Sequence, residues 1–206
     1  MEEYILNHID EEGELLSKLN REAHVKLLRP RMIAGHLQGR VLKMLVRLLR
    51  PQRILEIGTY TGYATLCMAE ALPESGEIHT IEIDDEMEDF IQNQFNQSEL
   101  KSKIRLHIGD ALEIIPRLEG YFDLALIDGD KREYCEYYDL TFDKINPGGV
   151  ILADNTLWSG KVANEPHSSD KQTQGILKFN EKIKRDKRIE KVILPLRDGL
   201  TIIYKL

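Results

Sequence analysis

The stretch RILEIGTYTGYATLCMA, residues 53–69, decides the fold of this chain. It opens with a short apolar run, passes through a turn that contains two glycines, and continues with apolar residues at helical spacing. A glycine-containing turn between a buried strand and a helix is typical of α/β folds, in which the backbone of the turn approaches a ligand closely. The downstream sequence repeats this alternation of strand and helix.

Further strand-like segments follow the first one, and most of them are separated by helical patterns. They comprise residues 77–84, 103–110, 122–130, 149–155, 189–195 and 200–205. Alternating strands and helices form parallel βαβ units. The last two strands are joined by the hairpin-like turn Arg197-Asp198-Gly199, so one of them should run antiparallel. We therefore predict a doubly wound α/β fold with a mostly parallel sheet of seven strands.

The segment before the first strand has a helical pattern. Residues 4–27 predict one or two helices, Pro30 interrupts the pattern, and a second helical segment continues to Pro51. A chain of 206 residues and 23.8 kDa fits one domain. We expect a single domain with a helical N-terminal extension, residues 1–50, and an α/β core, residues 51–206.

Composition excludes several classes of protein. A chain with 42% hydrophobic and 31% charged residues is neither collagen-like nor of low complexity. Its two cysteines, Cys67 and Cys135, are too few for a disulfide scaffold and indicate a reducing compartment. The acidic N-terminus lacks the layout of a signal peptide, and no apolar run approaches the roughly 20 residues that span a bilayer. We expect a cytoplasmic protein that does not enter a membrane.

The charge of the chain is unevenly distributed. The net charge is −7, but residues 18–53 contain ten Lys or Arg and one acid, which makes that segment +9. One interpretation is a solvated helix face or a surface that pairs with an acidic partner. The other is a patch for an anionic substrate. The sequence leaves both open.

The glycine spacing of the first turn separates two kinds of nucleotide site. Residues 58–62 read G-x-x-x-G, whereas a dinucleotide fingerprint needs a middle glycine where Tyr60 stands. This favours an adenosine ligand with few phosphates. Glu82, twenty residues after the second glycine, can accept both ribose hydroxyls. Asp110 is placed to reach an adenine edge, and with Glu56 these carboxylates mark the ends of three successive strands.

A second group of polar residues follows strands four and five. Asp128 ends one strand and Asp154-Asn155 ends the next, so we expect their oxygens to converge. Two carboxylates and an amide suit Mg²⁺ or Ca²⁺. Beside such a cation, the amine of Lys131 can serve as a general base. Two alternatives stay open, namely a salt bridge between Asp128 and Lys131 that caps a loop, and a turn at Asp154-Asn155.

Trp158 and the histidines are less specific signals. Trp158, three residues after Asn155, can line an aromatic substrate site or anchor a loop. The six histidines are scattered without ligand spacing, and we interpret them as structural or surface residues.

Seven motifs occur in order over about residues 30–205: GHLQG, LEIGTYTGY, IHTIEID, HIGDA, LIDGDK, LADNTLWSGKV and DGLTIIYK. With these, the chain resembles the cation-dependent, S-adenosylmethionine-dependent O-methyltransferases, which include catechol and caffeoyl-CoA O-methyltransferase. The resemblance implies a Rossmann-like, class I methyltransferase core with S-adenosylmethionine as cofactor. It also implies a divalent cation, usually Mg²⁺ with Mn²⁺ or Ca²⁺ as alternatives, and often a homodimer.

The resemblance also implies a role for individual residues. Lys131 takes the proton from the acceptor hydroxyl. The metal ligands are Asp128, Asp154 and Asn155. The cofactor-binding residues are Met32, Ala34, Glu56, Gly58, Tyr60, Gly62, Tyr63, Glu82, Asp110 and Asp128.

Two positions depart from the family pattern. Ala64 stands where many relatives have a serine that helps to hold the cofactor carboxylate. Val192 falls near the place of a glutamate that contacts the second hydroxyl in the mammalian catechol enzyme. The sequence therefore predicts methyl transfer to a catechol-like, vicinal dihydroxy aromatic small molecule, and the missing glutamate argues against catechol itself.

Three alternative functions compete with this prediction. The first is methylation of a hydroxylated uridine in tRNA, which the basic segment favours and the net charge disfavours. The second is a nucleotide-binding oxidoreductase, against which the glycine spacing argues. The third is a cofactor-binding module without catalysis.

Overall fold

The computed structural model describes residues 1–206 apart from the side chain of Glu2. The helices are α1 (Glu2–Leu6), α2 (Glu14–Lys26), α3 (Gly35–Leu49), α4 (Tyr63–Ala69), α5 (Glu88–Asn96), α6 (Ala111–Ile114), α7 (Tyr134–Lys144) and α8 (Lys171–Arg185). The strands are β1 (Arg53–Ile57), β2 (Glu77–Glu82), β3 (Ile104–Ile108), β4 (Phe122–Ile127), β5 (Ile145–Ala153), β6 (Ile189–Leu194) and β7 (Leu200–Lys205). Within the described chain, no helix is long and apolar enough to cross a membrane.

The strands form a seven-stranded sheet in the order β3-β2-β1-β4-β5-β7-β6. β2 pairs in parallel with β3, as do β1 with β4 and β4 with β5, whereas β7 runs antiparallel to both β5 and β6. The predicted α/β fold is confirmed, and so is the antiparallel hairpin at its end.

Contacts divide the chain into two compact units. The first comprises residues 1–52 and 59–109, and the second comprises residues 53–58 and 110–206. The predicted extension, residues 1–50, lies wholly in the first unit. The prediction of a single domain stays a prediction.

Residues 4–27 were predicted to form one or two helices, and the structure has two, α1 and α2, with Gly13 at a φ of +86° immediately before α2. The predicted and observed elements differ most in β5. The strand predicted to begin at residue 149 begins at Ile145 instead. The pairing of β4 with β5 shifts register between Phe122 and Leu124, so the glycines after Pro147 are accommodated at an irregularity inside the strand.

Each unit has its own apolar core. In the first, α3 packs on α4, and Gly39 allows this contact because a Cβ there would lie 2.7 Å from Sγ of Cys67. In the second, α7 and α8 pack together through aromatic rings. Phe179 meets Tyr134 edge to face, with the ring centroids 5.4 Å apart. Burial of these side chains is the main stabilising contribution.

Candidate active site

The backbone of the turn after β1 is hydrogen-bonded to the carboxylate of Glu82 in the first unit. The backbone N–H of Tyr60 donates to Oε2 of Glu82 at 2.6 Å, and that of Asp84 donates to Oε1 at 3.0 Å. Tyr60 has a φ of +50°, a costly conformation for a bulky residue. A strained turn held next to a carboxylate at the end of β2 marks this place as a functional-site candidate.

The same turn depends on Gly62 and directs Tyr63 inward. A Cβ on Gly62 would lie 2.5 Å from the ring of Phe95, and Gly62 has a φ of +79°. Tyr63 is buried, and its hydroxyl donates to Oε2 of Glu12 at 2.6 Å. Burial, with smaller contributions from Cys67 and Glu12, raises the pKa of the Tyr63 phenol far above its ordinary value.

The segment that carries Met32 and Ala34 lies beside Tyr60. The Tyr60 hydroxyl donates to the backbone oxygen of Arg29 at 2.9 Å. Met32 ends a short 3₁₀ turn and is 54% exposed, and Ala34 immediately precedes α3. Within the first unit, Tyr60 is therefore joined to Glu82 through its N–H and to the segment just before Met32 through its hydroxyl. Their roles toward a cofactor stay predictions.

The second unit contains the remaining predicted cofactor residues. Gly58 has a φ of +97°, and a Cβ there would lie 2.4 Å from the backbone oxygen of Asp128. Glu56 is fully buried within β1. Asp110 caps α6, since its Oδ1 accepts from the N–H of Leu112 at 2.8 Å. Asp110 thus begins a helix two residues beyond β3, where the sequence predicted the end of the strand.

The two aspartates of the predicted metal site follow aligned positions on neighbouring strands. Ile127 is in register with Ala153, and the N–H of Asp154 donates to the oxygen of Ile127 at 3.0 Å. The Tyr134 hydroxyl donates to the backbone oxygen of Asp154 at 2.9 Å. Burial raises the pKa of the Tyr134 phenol well above its ordinary value, and the charges of Asp128 and Asp154 raise it further. The charges of both carboxylates therefore raise the pKa of the same phenol.

Asn155 completes the predicted set of oxygen donors. Its φ of +56° lies in the left-handed region that asparagine tolerates better than most residues, and its N–H donates to Oδ1 of Asp154 at 2.8 Å. In the part of the chain that the structure describes, no three His, Cys, Asp or Glu side chains are grouped to hold a metal ion. The predicted set has two carboxylates and one amide, a donor chemistry that fits a hard divalent cation.

Lys131 lies in a short 3₁₀ turn between β4 and α7. Its side chain is 8% exposed, and Nζ donates to Oδ1 of Asp128 at 2.8 Å and to the oxygen of Gly129 at 3.0 Å. Nζ also lies 4.9 Å from the ring centroid of Tyr134 and 6.0 Å from that of Trp158. The salt bridge with Asp128 is thus present, and it places the amine next to one of the predicted metal ligands.

Two residues of α8 that sequence reasoning missed position Lys131. Oε1 of Gln172 accepts from the Lys131 N–H at 3.2 Å. Gly175 lets α8 approach, because a Cβ there would lie 2.1 Å from the backbone oxygen of Lys131. No local motif marks either residue, since each acts on a residue more than forty positions away in the sequence.

Comparisons with known proteins place this geometry in a family. The O-methyltransferase family profile matches residues 7–206. The chain is 36% identical over 174 residues to a mouse catechol O-methyltransferase domain-containing protein, covering 82% of this chain and 66% of that protein. It is 33% identical over 190 residues to a catechol O-methyltransferase of Niastella koreensis, covering 90% of this chain and 85% of the relative.

Solved structures agree with the sequence relatives. The O-methyltransferase TomG of Streptomyces achromogenes, determined in complex with S-adenosylmethionine, superimposes with a TM-score of 0.90. It is 28% identical, and the match covers 98% of this chain and 94% of TomG. The class of protein is therefore a Rossmann-like, S-adenosylmethionine-dependent methyltransferase. The chain belongs to the O-methyltransferase family, as its motifs predicted.

Proposed function

We propose that this protein transfers a methyl group from S-adenosylmethionine to one hydroxyl of a catechol-like small molecule, with the help of a divalent cation. The observation that carries the proposal is the position of Lys131. Its nearly buried amine lies 2.8 Å from Asp128, in the unit that also contains Asp154 and Asn155. A base next to one predicted metal ligand, in the unit that contains the other two, supports metal-assisted deprotonation of a hydroxyl.

The cofactor roles follow the family resemblance residue by residue. In the first unit, Glu82 accepts hydrogen bonds from the ribose hydroxyls while its two backbone partners keep it oriented. Met32, Ala34, Tyr60, Gly62 and Tyr63 shape the methionine end. In the second unit, Asp110 would bind the adenine, and Glu56, Gly58 and Asp128 would complete the set. Ala64 lacks the hydroxyl found in many relatives, so the cofactor carboxylate relies on backbone N–H groups.

Asp128, Asp154 and Asn155 would hold the cation, with Mg²⁺ the first choice and Mn²⁺ or Ca²⁺ the alternatives. A cation bound there would polarise the acceptor hydroxyl and orient it. Asp154 is 4% exposed, and its backbone is fixed by Ile127 and Tyr134. This rigidity supports the assignment, because ligands held by hydrogen bonds need little reorganisation when the cation binds.

The chemical step uses Lys131 as the base. In its neutral form, Nζ accepts the hydroxyl proton and becomes an ammonium, the resulting oxygen attacks the methyl carbon, and the carbon–sulfur bond breaks with its electron pair left on sulfur. S-adenosylhomocysteine and the methyl ether are the products. The Lys131 side chain is 8% exposed, so few water molecules reach Nζ. Positioning and charge stabilisation then account for most of the rate.

The acceptor is an aromatic molecule with two adjacent oxygens. Trp158 supports this class, since its ring lies near Lys131 and can stack on the acceptor. Val192 is 52% exposed and offers no carboxylate for a second hydroxyl. This supports an acceptor larger than catechol itself, in which other groups contribute to binding.

Three further proposals concern a second candidate function, the assembly and the location. Methylation of a hydroxylated uridine in tRNA is the second candidate function, and the exposed arginines Arg21, Arg29, Arg47 and Arg50 favour it. A homodimer is supported by the exposed apolar side chains of α3, where Met44 is 50% and Leu48 is 72% exposed. We also propose that the protein works in the cytoplasm.

The test is methyl transfer from labelled S-adenosylmethionine to caffeate and related 3,4-dihydroxyphenyl compounds, with Mg²⁺ and with EDTA. Turnover that needs the metal and Lys131 is the expected result. Cofactor binding without transfer to any catechol would overturn the acceptor class, and the same assay with tRNA at rising salt would then decide the second candidate. An absence of cofactor binding would overturn the whole proposal.

A further inference from the structure

The segment that follows Asn155 is held in an unusual backbone conformation. Trp158 has a φ of +45°, Ser159 of +53° and Gly160 of +77°. Only the glycine adopts this region without steric cost, so the first two residues store strain. Such strain persists only where surrounding contacts impose it. The contacts that impose it here come from the turn between β6 and β7.

That turn binds the strained segment through Asp198. The backbone oxygen of Asp198 accepts from the N–H of Leu157 at 2.8 Å and from the N–H of Trp158 at 3.1 Å. Its side-chain Oδ1 accepts from the hydroxyl of Ser159 at 3.1 Å. One residue therefore contacts three consecutive residues of the segment.

Gly199 makes this close approach feasible. Its φ is +91°, and a Cβ on Gly199 would lie 2.7 Å from the backbone nitrogen of Leu157. The oxygen of Gly199 also accepts from the N–H of Thr156 at 3.1 Å. The turn thus follows the segment from Thr156 to Ser159 along its backbone.

We infer that Asp198 is a positioning residue for the acceptor side of the site: it holds the strained Trp158–Ser159 backbone and thereby fixes the indole of Trp158 beside the amine of Lys131. The indole centroid lies 6.0 Å from Nζ of Lys131. Its Nε1 is buried and has no hydrogen-bond partner, so the position of the ring is not set by a bond of its own. The backbone from which the ring projects therefore contributes to its position, and Asp198 holds that backbone.

This inference rests on the proposed function for its catalytic consequence, but the position of the indole is measurable without any ligand. Trp158 is the single tryptophan of the chain, so indole fluorescence reports on it alone. Loss of the Ser159 hydrogen bond should release the segment. The emission of Asp198→Ala should shift to longer wavelength, and quenching by acrylamide should increase, relative to the parent protein.

Matched variants separate positioning from general damage. Asp198→Asn keeps an oxygen that can accept from Ser159, so its emission should remain as in the parent protein. Ser159→Ala removes the same hydrogen bond from the other side and should reproduce the shift. Asp139→Ala removes an exposed carboxylate that pairs with Lys182 on α8, and it should change neither emission nor quenching.

The kinetic readout is the KM for the acceptor. Asp198→Ala should raise it about fivefold, the effect of one lost hydrogen bond, while kcat changes much less and cofactor affinity stays the same. Unchanged emission in both Asp198→Ala and Ser159→Ala overturns the inference, as does an altered emission with unaltered acceptor KM. A parent protein that methylates no catechol refutes the proposed function, whereas the emission experiment still decides whether Asp198 fixes the indole.

Discussion

The amine of Lys131 lies 2.8 Å from Oδ1 of Asp128. Asp128 directly follows β4, and Lys131 begins the 3₁₀ turn that comes after it. The same amine donates to the oxygen of Gly129, so it is held by two acceptors from one short stretch of chain. This pairing keeps a flexible side chain in one place beside the predicted metal ligands. Such preorganisation is what a general base requires.

Replacement of Lys131 by methionine should lower kcat by about 10²–10⁴-fold, because general-base catalysis contributes that much to proton transfers. Affinity for S-adenosylmethionine should change little. Radiometric methyl transfer and calorimetric titration of the cofactor measure the two quantities. Lys178→Met, on the exposed surface of α8, is the control and should retain full activity. A Lys131→Met enzyme with parental kcat would exclude this residue as the base.

Removal of the cation should abolish transfer, and Mg²⁺ should restore it. Metal that binds the folded protein should also raise its stability, by about 2.7 kcal/mol at a concentration of about 100 Kd. Thermal unfolding with and without Mg²⁺ shows this shift. Asp154→Ala should remove both the shift and the activity. Equal shifts in the parent protein and in Asp154→Ala would place the metal elsewhere.

Glu82→Gln should weaken S-adenosylmethionine binding by about 10–100-fold, since hydrogen bonds to a charged acceptor contribute about 1.5–3 kcal/mol. Glutamine keeps one oxygen for the Tyr60 or the Asp84 N–H, so the turn should stay folded. Isothermal titration gives the Kd. Glu88→Gln, at an exposed site at the start of α5, serves as the comparison. Parental affinity in Glu82→Gln would rule out the ribose contact.

Gly175→Ala should destabilise the protein by about 1–3 kcal/mol, the cost of overpacking a close contact. In an ordinary helix the same change would stabilise, by about 1 kcal/mol. The sign reverses here because the new Cβ would lie 2.1 Å from the oxygen of Lys131. Urea unfolding measures the change, with Lys178→Ala on the same helix as a near-neutral reference. A stabilised Gly175→Ala variant would show that α8 does not press on the Lys131 segment.

Asp186 should make the stability of the second unit depend on pH. Hydrogen bonds from Arg188, and a weaker one from Tyr138, hold the pKa of the Asp186 carboxyl well below its usual range. A lowered folded-state pKa stabilises above the unfolded pKa of about 3.9, and the contribution is lost as pH falls below that value. Asp186→Asn should therefore cost about 1 kcal/mol near neutral pH and less near pH 3.

Urea unfolding of the parent protein and of Asp186→Asn, at several pH values, measures that difference. Asp139→Asn is the control, because its carboxylate is 57% exposed and its pairing with Lys182 is screened by solvent. A difference that stays constant down to pH 3 would show that the Arg188 contact does not govern the titration of Asp186.

Local patterns were sufficient for the order and type of most elements. Three predicted features depend on residues near one another in sequence: the turn with Gly58 and Gly62, the carboxylate of Glu82 at the end of β2, and the final hairpin. Boundaries were less predictable. The glycines after Pro147 were interpreted as a turn, but they lie inside β5 because that strand pairs with β4. The boundary therefore depends on a neighbouring strand and not on the local sequence.

The sequence by itself determined the alternation of strands and helices, the family, and the oxygen-bearing side chains placed after β4 and β5. The alternation follows from periodicity, the family from the resemblance of the motifs, and the oxygen-bearing positions from residue chemistry, all of which can be read in the order of the residues. Only the tertiary structure decided that Tyr63 turns inward to Glu12, that Gln172 and Gly175 hold Lys131, and that Asp198 holds the Trp158 segment. Each of these contacts joins residues about 40 or more positions apart, and only packing brings such residues together.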